Sequence, residues 1–421
     1  MAPLPLSHGT GHRDPRPAGA RTRLSRRSFL AILASPALAP LLSACGDQLY
    51  TSGDFVIASP DHPVRWPLST KHQRIDPGLV PEPGSTLRLY CYADYIGPAV
   101  MKAFEKEYGV NIVLSTFNDT DEALTKIATG SVEHDVYFPS YDQIGKMVTA
   151  DLLRPLTQSY VPNIRNLWAQ FQDPWYDRGW QYSVPYTVYT TGIGWRTDMV
   201  SEDIASRDNP YDVFWDPGNA GNCAVIDDWH TAMSMVLLRN GIGDINTARA
   251  ADLRLVGEQL ASMQEATNPR VTITMYNDLP AGQYGIAQMW SGDIINAQYY
   301  LPKETSPEVL RFWFPPDSRG MVDNDLMVVL AGGKNPVAAH AWINYILDPA
   351  VAAENFGFVG YQPPQRSINP SQLVADAYFP ATLESAGVRP KDFALGHRLL
   401  ELPPVVDGAW HEIWQQYKAH G

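Results

Sequence analysis

Cysteine is scarce in this chain of 421 residues, which contains three. Cys45 lies at the end of an N-terminal leader, so Cys91 and Cys223 remain in the body of the chain. Secreted domains that depend on disulfides carry several cysteine pairs at close spacing. The sequence therefore excludes a disulfide scaffold, and we expect Cys91 and Cys223 to be free, buried thiols.

Common catalytic motifs are also missing. The sequence has no Gly-x-Ser-x-Gly elbow, no Gly-Lys-Ser/Thr phosphate loop and no His-Glu-x-x-His zinc motif. Gly241-Ile242-Gly243 lacks the third glycine of a dinucleotide-binding loop and does not follow a predicted strand. The ten histidines show no metal-ligand spacing. We therefore predict a protein that is not an enzyme and that holds neither a metal nor a cofactor.

Positive charge is scarce as well, because 45 acidic residues outnumber 32 Lys and Arg, for a net charge of −13. Residues 1–44 contain six Arg and one Asp, so residues 45–421 carry −18. Nucleic-acid binding depends largely on neutralising phosphates, so such a chain is a poor candidate for it. A cationic ligand suits the chain better, although acidic surfaces also serve solubility.

The leader contains no long hydrophobic run. Its apolar stretch Phe29–Leu42 is short and carries two prolines, which makes it a poor membrane span. Arg26 and Arg27 before this stretch, and small residues before Cys45 after it, resemble a bacterial lipoprotein signal exported by the twin-arginine route. The alternative is an ordinary amphipathic leader with a chance cysteine. We predict that residues 1–44 are removed and that acylated Cys45 anchors the protein to the membrane, facing the periplasm or extracytoplasmic space.

Strand-like and helix-like segments alternate after a Pro-rich tether and extended wrap over residues 45–85. Alternating apolar residues predict strands, and apolar residues at helical spacing, bounded by Pro or Gly, predict helices. The predicted strands are Leu87–Cys91, Val110–Phe117, Asp135–Pro139, Thr190–Trp195, Cys223–Ile226, Tyr284–Met289, Val309–Phe314 and Asp325–Leu330. The predicted helices are Pro98–Gly109, Asp119–Gly130, Tyr141–Thr149, Thr231–Arg239, Leu253–Gln264, Pro336–Leu347, Pro349–Phe356 and Trp410–Lys418. This alternation predicts an α/β fold with a parallel sheet covered on both faces.

The length of the chain is sufficient for two lobes with separate cores. We interpret the strand Thr190–Trp195 as the crossing from the first lobe to the second, and the strand that starts at Asp325 as the return. The predicted lobes are residues 86–190 plus 323–368, and residues 191–322 plus 369–421. Cys91 and Cys223 would then lie on different lobes.

Carboxylates and aromatic rings recur just after the predicted strands. They are Tyr92, Asp94 and Tyr95 after the first strand, Ser140 and Asp142 after the third, Asp228, Trp290 and Asp293 after later strands, Asp323 and Asp325 at the return crossing, and Tyr361 in a Gly-Tyr-Gln-Pro turn. Open α/β sheets bind ligands outside the carboxyl ends of their strands, so we expect these side chains to line one cleft. Taken singly, the acids could cap helices and the rings could be packing residues. Their shared position predicts a site for a small organic cation.

Several of these segments resemble the periplasmic spermidine/putrescine-binding proteins of ABC importers. Tyr90–Tyr95 is similar to the family's Tyr-Asn-Trp-x-Glu-Tyr segment, and Met289–Gly292 is similar to its Trp-Asn-Gly strand end. The resemblance covers about residues 86–368, and Asp135–Ser140, Tyr182–Tyr186, Asp325–Val329, Lys334–Pro336 and Gly360–Pro363 also carry it. It implies a two-lobed periplasmic-binding-protein fold (type II, Venus-flytrap) with two inter-lobe crossings. It also implies a monomer that docks on the permease and ATPase subunits of an importer.

The resemblance assigns roles to the candidate residues. The aromatic residues would pack on the methylenes of a polyamine and face its ammonium groups; they are Tyr92, Tyr95, Trp290 and Tyr361. The polar residues would pair with or hydrogen-bond those ammonium groups; they are Asp94, Asp228, Asp325 and Ser140. The chain departs from the family at Thr231, where a second acid is expected, and at Asp142 and Asp323, which replace a Tyr and a Trp. The alternatives are a solute-binding protein for a sugar or an amino acid, and an exported hydrolase.

Overall fold

The computed structural model describes residues 57–118 and 120–420. The predicted lipidation residue Cys45, the export residues Arg26 and Arg27, and the predicted cap Asp119 lie outside these residues. Within them, no helix is both long enough and apolar enough to cross a membrane. Cys91 and Cys223 are free and buried, as expected.

Nine strands and twelve α-helices make up the regular structure of the described residues, and short 3-10 turns connect many of them. The strands are β1 (Thr86–Tyr92), β2 (Asn111–Phe117), β3 (Val136–Tyr137), β4 (Ser183–Arg196), β5 (Cys223–Ile226), β6 (Arg270–Thr272), β7 (Ile286–Trp290), β8 (Leu310–Trp313) and β9 (Met321–Val329). The helices are α1 (Pro98–Tyr108), α2 (Thr120–Ala128), α3 (Ile144–Thr149), α4 (Trp229–Arg239), α5 (Ala250–Ala266), α6 (Met275–Asp278), α7 (Ser291–Asn296), α8 (Pro336–Ile346), α9 (Pro349–Val359), α10 (Pro370–Ala375), α11 (Pro390–Leu395) and α12 (Pro404–His420).

The strands form one mixed sheet in the order β2-β1-β3-β9-β4-β7-β5-β6, with β8 also paired to β4. The strands at each end of this order are parallel, as predicted. The predicted parallel pairing does not extend to the middle of the sheet, where β9 and β4 run antiparallel to their neighbours. Strand β9 follows β8 through a short loop over residues 314–320, and β4 follows a long connection with 3-10 turns over residues 150–182, so no crossover helix leads directly into either strand.

Strand β4 joins the two halves of the sheet. Its first part, Ser183–Thr191, pairs with β9, and its last part, Thr191–Trp195, pairs with β7. Separate apolar cores cover the two halves. Phe104 of α1 and Trp342 of α8 belong to one core, whereas α4, α5 and α12 contribute to another. The midline of the sheet, where β4 and β9 pass from one half to the other, is therefore the place for a site between two cores.

The first described segment, residues 57–85, contains neither helix nor strand. Long-range hydrogen bonds fix it to the body of the protein: the Trp66 indole N–H donates to the Tyr176 carbonyl at 2.7 Å, and the Ser69 N–H donates to the Tyr182 hydroxyl at 2.7 Å. The side chain of Trp66 is buried. These contacts hold residues of this segment against the body of the protein, and the predicted wrap over residues 45–85 stays a prediction.

Candidate functional site

Two adjoining chambers lie at the midline of the sheet. The first chamber has a volume of ≈ 650 Å³ including its open mouth, and the second has a volume of ≈ 670 Å³ on the same basis. Four residues line both chambers: Tyr92, Tyr189, Trp290 and Asp325. A ligand that occupies both chambers must pass between these side chains.

The structure brings all eleven sequence-predicted site residues to these chambers. The first chamber is lined by Tyr92, Asp94, Tyr95, Trp290, Asp293, Asp325 and Tyr361. The second chamber shares Tyr92, Trp290 and Asp325 with the first and adds Ser140, Asp142, Asp228 and Asp323. Their placement together agrees with the expectation of one cleft, and the role of each in binding stays a prediction.

Asp325 lies on β9 at the junction of the two chambers. Its side chain is buried, and it accepts hydrogen bonds from the Tyr95 hydroxyl at 2.5 Å and the Tyr189 hydroxyl at 3.1 Å. Burial raises the pKa of Asp325 to about 6, and the two tyrosine hydroxyls oppose that rise because they stabilise the ionised form. Tyr95 is itself held by a hydrogen bond of 2.6 Å with Thr187 of β4. Asp325 is thus a fixed acceptor at the centre of the site.

Asp293 lies in the first turn of α7, directly after β7, and is 5% exposed. The Tyr361 hydroxyl donates to its Oδ1 atom at 2.7 Å, whereas Oδ2 is buried and has no hydrogen-bond partner within the described part of the chain. Burial raises the pKa of Asp293 to about 7, against the lowering effect of the Tyr361 bond. A buried carboxylate oxygen without a donor is costly, so this atom calls for a donor from a ligand.

A glycine allows Tyr361 to reach Asp293. A Cβ atom on Gly292 would lie 2.3 Å from the Tyr361 ring, a distance at which one of the two must move. The glycine before Asp293 therefore leaves the space in which the Tyr361 ring lies while its hydroxyl donates to the carboxylate.

The rings of the first chamber meet edge to face. The Tyr361 ring centroid lies 5.2 Å from that of Tyr95 and 5.6 Å from that of Tyr189, with interplanar angles of 87° and 84°. Tyr189 also meets Trp290 at 6.3 Å, and Tyr92 meets Tyr95 at 5.9 Å. The negative faces of aromatic rings attract cations, most strongly where water is excluded. These walls suit an apolar ligand with positive charges.

The second chamber is richer in acids. Asp323 is 7% exposed, and burial raises its pKa well above the ordinary value, with further contributions from Asp142 and Asp325. Burial also raises the pKa of Asp142, whose Oδ1 accepts a hydrogen bond from the Ser140 hydroxyl. Asp228 is the N-cap of α4 and accepts from the Thr231 N–H at 2.7 Å, and burial raises its pKa too. The structure therefore supports the capping interpretation of Asp228 and also places it in the chamber.

Asp94 differs from the other acids because it is exposed at the mouth of the first chamber. Its φ of 53° lies in the left-handed region, and the Tyr300 hydroxyl donates to its Oδ2 atom at 3.0 Å. Water screens an exposed carboxylate, so Asp94 has less influence on a bound cation than Asp293 or Asp325.

Sequence reasoning missed two aromatic residues of the first chamber. Tyr189 contacts Asp325 and stands between Trp290 and Tyr361, and Tyr276 of α6 lines the same space. A signal for Tyr189 existed, since it directly precedes the predicted crossing strand and pairs with Asp323 in the sheet register. Tyr276 follows β6, a strand that the sequence pattern did not predict, so the predicted strand ends contained no signal for it.

The buried acids of both chambers lack an ion-pair partner among the described residues. No ion pair of residues 57–118 and 120–420 includes Asp142, Asp228, Asp293, Asp323 or Asp325. Within the same residues, no group of three or more His, Cys, Asp or Glu side chains is arranged to hold a metal ion. Lys146 in the second chamber opposes the rise in the pKa of Asp142, whereas the counter-charge for the acids of the first chamber must come from protons or from a cationic ligand.

Comparison with known proteins finds a matching family and related binding proteins. The model of the bacterial extracellular solute-binding protein family matches residues 99–381. The putrescine-binding periplasmic protein of Escherichia coli (strain K12) is 26% identical over 339 residues, which cover 78% of this chain and 91% of that protein. The putrescine/agmatine-binding protein of Pseudomonas aeruginosa is 27% identical over 292 residues, which cover 66% of this chain and 77% of that protein.

A solved structure extends the likeness to the fold. The spermidine/putrescine ABC transporter substrate-binding protein of Streptococcus pneumoniae superposes with a TM-score of 0.64 at 24% identity, covering 80% of this chain and 99% of that one. The predicted α/β solute-binding-protein fold is confirmed by this match.

Proposed function

This chain belongs to the bacterial extracellular solute-binding protein family, and we propose that it binds a polyamine between its two lobes and delivers it to an ABC importer. The names of its relatives support this ligand class, since they include putrescine-, agmatine- and spermidine-binding proteins. These relatives are named as binding proteins, most of them periplasmic, which supports an extracytoplasmic binding role.

The observation that carries the proposal is the unpartnered Oδ2 atom of Asp293 in a chamber walled by aromatic rings. An ammonium group supplies the missing donor as a charge-assisted hydrogen bond. The same group neutralises the buried negative charge, which offsets the desolvation cost that raises the pKa of this carboxyl.

Each side chain of the site has a role in this proposal. Asp293 and Asp325 accept hydrogen bonds from ammonium groups, and Asp94 attracts the cation at the mouth. The rings pack on the methylenes between the charges and contribute cation–π terms of about 0.5–2 kcal/mol each; they are Tyr92, Tyr95, Tyr189, Trp290 and Tyr361. Ser140, Asp142, Asp228 and Asp323 face the part of the ligand that enters the second chamber.

The charge of the first chamber argues against the other solutes. An amino acid brings a carboxylate that needs a basic partner, and no Lys, Arg or His lines this chamber in the described part of the chain. A sugar would leave the Asp293 carboxyl without a counter-charge. An exported hydrolase is disfavoured because the sequence has neither a Gly-x-Ser-x-Gly elbow nor a His-Glu-x-x-His motif.

The proposal includes the position of the protein in the cell. Acylated Cys45 tethers a monomer to the membrane, and more than one acyl chain makes that tether stable. The lobes, residues 86–190 plus 323–368 and residues 191–322 plus 369–421, close on the ligand and dock on the permease, which works with an ATPase subunit. Membrane fractionation of the wild type and of Cys45→Ser tests the anchor.

Isothermal titration calorimetry tests the function. We expect putrescine, cadaverine, spermidine or agmatine to bind, and glucose and neutral amino acids to give no heat. Asp293→Asn removes the charge but little volume, so it should weaken amine binding by at least about tenfold. Asp61→Asn is the matched control, since Asp61 is exposed and lines neither chamber. Silence from every amine at millimolar concentration would refute the proposal.

A further inference from the structure

The second chamber contains more buried acid than a diamine requires. A diamine has two ammonium groups, and Asp293 and Asp325 already provide an acceptor for each in the first chamber. Asp323, Asp142 and Asp228 lie beyond Asp325 on the side away from Asp293. A site that binds only a diamine does not need these three additional carboxylates.

The register of β9 directs Asp323 and Asp325 to the same face of the sheet. Asp325 pairs with Thr187 and Asp323 pairs with Tyr189, so the two acids are two residues apart on one strand. Two residue rises separate their Cα atoms by roughly 7 Å. This separation is comparable with that between neighbouring amines of an aliphatic polyamine, in which a few methylenes join the nitrogens.

Asp323 has an acceptor to offer. Its Oδ1 atom accepts from the N–H of the next residue, Asn324, at 2.7 Å, and its Oδ2 atom has no hydrogen bond to any residue that the structure describes. The side chain is more than nine-tenths buried and lines the second chamber. Asp142, on the loop after β3, lies close enough to raise the pKa of Asp323. The two carboxylates form a pair that repels itself when both are ionised.

The basic groups near this pair are engaged or neutral. The Lys146 ammonium lines the second chamber and opposes the rise in the pKa of Asp142, but its ion-pair partner is the Asp407 carboxylate of α12, at 3.5 Å. His230 is buried in the wall, and burial lowers its pKa to about 3, so it carries no charge near neutral pH. Asp121 at the edge of the chamber lies 3.7 Å from the His411 ring. No described basic side chain is therefore left to neutralise Asp323.

We propose that Asp323 and Asp142 form a further ammonium site, and that the ligand is a linear amine with at least three cationic nitrogens. The proposal rests on the proposed function and narrows it. One nitrogen binds at Asp293, the next at Asp325, and the third between Asp323 and Asp142. The chain between them passes the rings of Tyr92, Tyr189 and Trp290, which line both chambers.

The test compares a diamine with a triamine on the same protein. Calorimetric titration of the wild type should give a dissociation constant for spermidine at least about tenfold below that for putrescine. Asp323→Asn keeps the acceptor for the Asn324 N–H but loses the charge, and it should reduce this preference by about tenfold. Asp142→Asn should reduce the preference in the same direction. Asp61→Asn, at an exposed acid outside the chambers, should leave it unchanged.

The possible results distinguish a failure of the third ammonium site from a failure of the polyamine-binding function. Binding of diamine and triamine with equal affinity overturns the third site and leaves the polyamine function intact. A triamine preference that survives both Asp323→Asn and Asp142→Asn overturns the assignment to these residues. Silence from every amine removes the proposed function itself, and the third site with it. If Asp323→Asn fails to fold, as judged by its thermal unfolding, the Asp142→Asn titration decides.

Discussion

At the scale of single residues, the site is organised by tyrosine hydroxyls that donate to carboxylates. Tyr95 and Tyr189 both donate to Asp325, and Tyr361 donates to Asp293. Each of these bonds favours the ionised acid in surroundings that otherwise favour its protonated form. The hydroxyls therefore help to keep the site ready for a cation, in addition to any contact between the rings and the ligand.

Tyr189→Phe tests this role, because it removes the hydroxyl and keeps the ring. A hydrogen bond to a charged group contributes about 1.5–3 kcal/mol, so the affinity for amines should fall by roughly tenfold or more. The loss should be larger at pH 6 than at pH 8, since Asp325 without this donor holds its proton to higher pH. Titration calorimetry at the two pH values measures both effects.

Tyr417→Phe is the matched control, because the Tyr417 hydroxyl is buried in α12 without a hydrogen-bond partner in the described part of the chain. It should leave amine affinity unchanged at both pH values. Equal binding by Tyr189→Phe and the wild type would show that the hydroxyl has no part in the site.

The sequence identified most residues of the site, but it did not predict their exposure or their hydrogen bonds. The pattern of strand ends located Asp94, Asp142, Asp228 and Asp293, and the predicted return crossing located Asp323 and Asp325. Of the acids that line the chambers in the described part of the chain, Asp121 alone was missed. The pattern did not reveal that Asp94 is exposed or that Asp293 has an oxygen without a partner. Those properties depend on how Tyr300 and Tyr361 approach from distant parts of the chain.

At the scale of elements, α4 raises the question of whether Asp228 is a cap, a ligand group or both. Its Oδ1 atom caps the helix through the Thr231 N–H, and its side chain also lines the second chamber. Asn caps helices as well as Asp does, whereas Ala loses about 0.5–2 kcal/mol. The two substitutions therefore separate the roles.

We expect Asp228→Asn to retain the free energy of unfolding and to bind amines severalfold more weakly, and Asp228→Ala to lose both. Chemical denaturation and calorimetry measure the two quantities. Asp348 is the matched control, since it caps α9 through the Ala350 N–H at 2.9 Å and lines neither chamber. Asp348→Ala should lower stability alone. Wild-type affinity in Asp228→Asn would identify Asp228 as a cap without a binding role.

Local signals predicted most helices, while the central strands were harder to predict. Pro and Gly mark both ends of α1, and Asp348 with Pro349 marks the start of α9. The sequence predicted only the last part of β4, and Pro185 in its first part is a residue that central strands usually exclude. In the structure the sheet register shifts between Pro185 and Thr187, which accommodates the proline. The antiparallel pairing of β4 with β9 joins segments that are far apart in the sequence, so local sequence patterns do not predict it.

At the scale of the whole molecule, buried acids with raised pKa values lie together at the midline of the sheet. Burial raises the pKa of Asp293 from the ordinary 3.8 to about 7 and that of Asp325 to about 6. Between about pH 4 and pH 7 the folded protein therefore binds more protons at these acids than the unfolded chain does. The stability they contribute is complete below pH 4 and is lost as the pH rises through their folded pKa values.

Binding has the opposite dependence on pH, because an ammonium group needs ionised carboxylates. Amine affinity should therefore rise from pH 5 to pH 8 while the contribution of Asp293 to the stability of the free protein falls.

Comparison with Asp293→Asn isolates this stability contribution from those of other titrating groups, including the buried His230. The free energy of unfolding of the wild type relative to this variant should fall by at least about 1 kcal/mol between pH 4 and pH 8. Denaturant unfolding across this range, without ligand, gives the difference, and a difference that stays constant or grows would show that Asp293 is ionised in the empty chamber.

Calorimetry in two buffers of different ionisation enthalpy should then show protons released as the amine binds near pH 6, because the ligand takes the place of the protons on these acids.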